Sequence, residues 1–81
     1  MAGRKFSEKK LVEEILREAR VLNLHMGAAE VFATKTTAKV KKWAEKRAAF
    51  TQDDLDRVTA LELEKYNKDL AYVYKNRNKI I

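Results

Sequence analysis

The chain contains no cysteine and no proline, and among its 81 residues there are only two glycines, one histidine and one tryptophan. Without cysteine there is no disulfide, no thiolate metal ligand and no thiol nucleophile. Without proline, and with only Gly3 and Gly27 to loosen the backbone, little interrupts helix formation. Two isolated glycines cannot build a phosphate cradle of the Gly-x-Gly-x-x-Gly or Walker kind. His25 stands outside any recognisable catalytic or metal-ligating motif and reads as a helix-end residue. Asp53, Asp54 and Asp56 lack the spacing of a calcium loop and suit the start of a helix instead. No apolar run approaches the roughly 18 residues that cross a bilayer, and Met1-Ala2-Gly3-Arg4-Lys5-Phe6 has no apolar signal core. The expectation from these absences is a cytoplasmic, non-enzymatic protein with no membrane segment, no metal and no cofactor.

What is present is helix-forming and basic. Eighteen Lys plus Arg against twelve Asp plus Glu leave a net charge of +6, which favours phosphate-bearing or acidic partners. A 46% hydrophobic content is enough to offset the ordering entropy of one small core, so the sequence predicts a single all-α domain over residues 1–81, a compact bundle of three or four helices. The first helix spans about 7–24. Ser7 is its cap, Phe6 and Leu11 form a hydrophobic staple, and Gly27 is the residue expected beyond its end. The second spans about 28–48 and buries Ala29, Phe32, Ala33, Thr36, Val40 and Trp43. Phe50-Thr51-Gln52-Asp53-Asp54-Leu55 opens a third, spanning 51–78, with Thr51 as cap, an acid three residues on and a Phe50–Leu55 staple. Near residue 67 the pattern allows either a continuous helix or a break, because Asn67 also reads as a cap.

Lys35, Lys39, Lys42 and Lys46 fall within about 60° of one another at 100° per residue, a cationic row on one side of the second helix. Such a row suits the phosphates of nucleic acid, with Lys75 and Arg77 as further contacts and the terminal Arg4, Lys5 and Lys79 as reinforcement. Lysine is a point charge that meets phosphate well and reads base edges poorly, so the expected binding has low sequence specificity. The same row equally reads as a solvated face. Leu61 and Tyr72 project from the side of the last helix opposite its core face and, with the terminal Ile80 and Ile81, suggest docking on a protein partner or in a homodimer.

Three segments also bear on family. Phe6-Ser7-Glu8-Lys9-Lys10-Leu11, Phe50-Thr51-Gln52-Asp53-Asp54-Leu55 and Leu70-Ala71-Tyr72-Val73-Tyr74-Lys75-Asn76-Arg77 agree in order and rough spacing with the helical part of the ATP-cone. That domain is the nucleotide-sensing regulatory unit of ribonucleotide reductases and their repressor. The resemblance implies a regulatory module in which Lys10 lies near a nucleotide and Thr51 lines its base pocket. The family's N-terminal β-hairpin, with its Lys-Arg-Asp-Gly-like phosphate turn, has no counterpart in Met1-Ala2-Gly3-Arg4-Lys5. On the residues alone, Lys10 is a solvated first-turn lysine and Thr51 an ordinary cap.

Overall fold

Each helix starts where a polar side chain turns back to accept from the backbone: Ser7, Thr51 and Asn67 by short side chains, His25 by its ring. In the computed structural model, which describes residues 6–77, these starts open α1 (Glu8–Val21), α2 (Met26–Glu45), α3 (Gln52–Leu63) and α4 (Lys68–Asn76), with no strand among the described residues. The terminal Arg4, Lys5, Asn78, Lys79, Ile80 and Ile81 lie outside the described residues. Ser7 accepts from the Lys10 amide at 3.3 Å, and Phe6 packs on the core cluster that includes Leu11. At α3 the cap is reciprocal: the Thr51 hydroxyl accepts from the Asp54 amide at 3.0 Å while the Asp54 carboxylate accepts from the Thr51 amide at 3.3 Å.

The first helix ends earlier than the sequence suggests. Its stop is Asn23, whose φ of 58° places it in the left-handed region that asparagine tolerates. The Asn23 amide donates to the Arg20 carbonyl and the Leu24 amide to the Ala19 carbonyl, both at 3.0 Å, which is a Schellman closure. Gly27, expected beyond the end of α1, lies instead in the first turn of α2. His25 caps that turn, its Nδ1 accepting from the Ala28 amide at 3.2 Å. A Cβ on Gly27 would sit 2.9 Å from the His25 ring, so the missing side chain leaves the imidazole room to reach its cap position. At its far end α2 stops at Glu45 with Lys46 as C-cap, short of the expected residue 48.

The alternatives near residue 67 resolve into a break. The Tyr66 and Asn67 amides both close onto the Leu63 carbonyl at 2.9 Å, and the Asn67 side chain then accepts from the Leu70 amide at 2.9 Å to begin α4. The bundle therefore has four helices, the larger of the two numbers the sequence allows.

Packing forms a closed ring in which α1 meets α2, α2 meets α3, α3 meets α4 and α4 returns to α1, while the diagonal pairs stay apart. Neighbours run antiparallel. Glu8 at the start of α1 pairs with Lys41 near the end of α2 at 3.5 Å, and along α2 and α3 Phe32 stacks on Tyr66 while Trp43 meets Phe50. The centre holds Leu11 and Ile15 from α1, Ala29, Ala33 and Val40 from α2, Leu55 and Leu63 from α3, and Leu70 and Tyr74 from α4. Full burial of a side chain such as Ile15 or Leu70 stabilises the fold by about 1.5–3 kcal/mol. Ala29 and Ala33 sit at the centre of the α2 core face, whereas Phe32 and Trp43, expected to be buried, lie half-buried at its margin because their helical phase falls between the core and the lysine row. No described helix is long and apolar enough to cross a membrane.

Candidate nucleic-acid interface

The core face of α2 fixes where its charges go. Ala29, Ala33, Thr36, Val40 and Ala44 are buried, which rotates Lys35, Lys39 and Lys42 onto the exposed flank, and Lys46 extends the row at the helix cap. At 1.5 Å per residue the row is about 16 Å long. Among the described residues no ion pair involves any of these four lysines. Lys41, the α2 lysine that does pair, lies off the row and meets Glu8. Phe32 and Trp43 stand between the row and the core, within about 20° and 40° of Lys39 around the helix axis.

The row is costly to the helix that carries it. Lys35–Lys39 and Lys42–Lys46 are four residues apart and Lys39–Lys42 three, so three like-charge neighbours line up on one surface. Each such pair destabilises a helix by about 0.2–0.5 kcal/mol. Lys46 recovers part of this by standing at the negative end of the helix dipole. Chemically the result is an array of ammonium donors suited to a line of anionic oxygens.

Arg77, expected beside these lysines, faces the other way. Its guanidinium, 10% exposed, lies 2.9 Å from the Asp56 carboxylate and 3.5 Å from that of Glu14. It also donates to the Tyr74 carbonyl at 2.8 Å and covers the Tyr74 ring at 3.9 Å from its centroid. The chain reaches Arg77 where α4 has returned to α1 and α3, so the side chain clamps three helices and its charge is already matched by their acids. Burial alone would lower its pKa, but the hydrogen bond to Asp56 and the adjacent acids outweigh that and hold it above the usual arginine value. Burial pushes the Tyr74 phenol well above its usual value of 10.0, because the charged phenolate would lose its hydration there. The Tyr74 hydroxyl donates to Glu14 at 3.4 Å, and Gln52 donates to Asp56 at 2.7 Å. Gln52 and Asp56 meet within α3, but nothing local marks Glu14 and Asp56 as partners of Arg77, because that residue reaches them from α4 across the bundle. Lys75 is exposed on α4, across the ring from α2, and is not part of the row.

The remaining candidates are dispersed. Lys10 opens onto a cleft of ≈ 290 Å³ that Glu14, Arg17, Glu18, Gln52 and Arg77 also line. Thr51 is not among its lining residues; its hydroxyl is committed to the α3 cap, and those hydrogen bonds from Thr51 hold the Asp54 carboxyl below the usual carboxylate range. Leu61 and Tyr72 are both exposed, at 56% and 71%, but the break at Asn67 puts them on α3 and α4, not on one continuous helix. Comparison with family models, curated proteins and solved structures returns no match, so the likeness to the ATP-cone stands on sequence pattern alone.

Proposed function

We propose that this protein is a small binding module that meets the phosphates of nucleic acid through Lys35, Lys39, Lys42 and Lys46, with little dependence on base sequence. The observation that carries this reading is the row itself: four exposed ammonium groups on one flank of α2, unpaired among the described residues and mutually repelling, at a net cost to the helix. A face that served only to keep the bundle soluble would do better with acids interspersed among the lysines.

The test is a titration of nucleic acid at several salt concentrations. Affinity should fall steeply between low and moderate salt, and the log–log slope should shrink by about one for each row lysine replaced by alanine. A slope that ignores those replacements removes the proposal. A second reading, a nucleotide-binding regulatory module, draws support from the cleft beside Lys10. Glu14 and Glu18 on the wall of that cleft oppose a triphosphate, and the row is therefore preferred. Docking on a protein through Leu61 and Tyr72 has two exposed apolar residues in its favour and no continuous apolar face joining them on one helix.

A further inference from the structure

A lysine row can follow the phosphates of paired or of unpaired strands, and the aromatic residues separate the two. Proteins that hold single strands combine a basic track with open aromatic faces on which unstacked bases lie. All seven Phe, Tyr and Trp residues fall within the described part of the chain. Beside the row, Phe32 is stacked on Tyr66 with ring centroids 5.7 Å apart and planes 18° from parallel. Trp43 leans on Phe50 at 5.3 Å, and the Arg47 guanidinium lies 4.7 Å over its ring. Tyr74 is buried beneath Arg77, and Phe6 packs on the core. Tyr72 is exposed, but it stands on α4, which lies diagonally across the ring from α2. The charges and the open aromatic face are thus on different sides of the ring.

We infer that the ligand of the lysine row is a double helix, gripped by its phosphates with its bases left stacked and unread. The inference rests on the phosphate-binding reading of the same row. A duplex presents one negative charge per roughly 1.7 Å of axis, so a straight row about 16 Å long faces about five base pairs of dense charge without any base leaving the stack. Four lysines and no arginine in the row fit that role, since bidentate recognition of base edges is an arginine property.

The experiment measures binding of the full chain to a mixed-sequence DNA duplex of roughly 16 base pairs, to the equivalent RNA duplex and to each isolated strand, at about 50 mM salt. Emission of Trp43, the sole tryptophan, is followed in the same titrations. The expected result is a duplex affinity at least about tenfold above that of either strand, nearly independent of base order, with little change in tryptophan intensity. The two duplex arms report which helical form is preferred. Tyr72→Ala should leave duplex affinity unchanged. A single strand that binds as tightly as its duplex, or that quenches Trp43 by stacking, overturns the inference while sparing the phosphate reading. Failure of every nucleic acid to bind overturns both.

Discussion

At one corner of the bundle a cation is enclosed: Arg77 lies between Asp56 and Glu14, and those carboxylates are themselves only 18% and 22% exposed. Along α2 four cations stand in water with no carboxylate brought to them among the described residues. The same chemical class of side chain has opposite fates within one small fold. Where the bundle needs a positive charge, it brings acids from two other helices to meet it. Where it does not, the charge is left uncompensated, and an array left uncompensated at a cost is where an external anion has most to gain.

The enclosed side of this comparison breaks hardest. Arg77→Leu leaves Glu14 and Asp56 half-desolvated without their cation and should destabilise the fold by about 3 kcal/mol. For a domain of this length that is a fall in melting temperature of roughly 15 °C. Nucleic-acid affinity measured at a temperature where the variant is still folded should stay close to that of the parent. A melting temperature within a few degrees of the parent's would show that the clamp is ornamental, and a matching loss of binding would show that Arg77 reaches the ligand after all.

A subtler change in the same corner is Tyr74→Phe, which removes the hydroxyl that reaches Glu14 and should cost about 1 kcal/mol. It also carries a pH signature. The folded-state phenol titrates above its unfolded value of 10.0, so its neutral form stabilises the fold fully below that value and the contribution drains away as pH climbs past it. Thermal melts between pH 9 and 11 should show the parent losing stability faster than Tyr74→Phe. Parallel curves would mean that the phenol is not enclosed.

Local signals were legible and remote ones were not. The Thr51 cap, the Ser7 cap and the lysine row are each written within a few residues, and the backbone of α3, α1 and α2 realises them directly. The end of α1 falls before the expected one because glycine is the usual left-handed residue, whereas here Asn23 takes that conformation and Gly27 serves the His25 cap. Asn67 carried a true cap signal, but the apolar pattern ran on through it, and only the turn closing on Leu63 decides for a break. Arg77 was opaque for a different reason. Its two acids lie 21 and 63 residues away, and a basic residue near a helix end looks alike whether solvent or a carboxylate waits for it. Site residues fixed by helical phase can be read from a sequence, and those fixed by ring closure cannot.

The exposed side of the comparison is tested by the smallest stability effect. Replacing Lys35, Lys39, Lys42 and Lys46 together by alanine removes three like-charge neighbours and substitutes the best helix former at each position. The replacement also removes four aliphatic stems from the flank beside the core face, an opposing term of similar size. The sum should lie within about 0.5 kcal/mol of zero, with the sign leaning toward stabilisation at low salt, where the repulsion is least screened. Denaturant melts at low and high salt measure it directly. Set beside Arg77→Leu, the outcome should be a crossed pattern: one variant unfolds early and binds in full, the other folds as before and binds weakly. If instead the quadruple variant loses stability as Arg77→Leu does, the lysines are holding the bundle together, and the division between a charge the fold uses and charges it offers to a partner disappears.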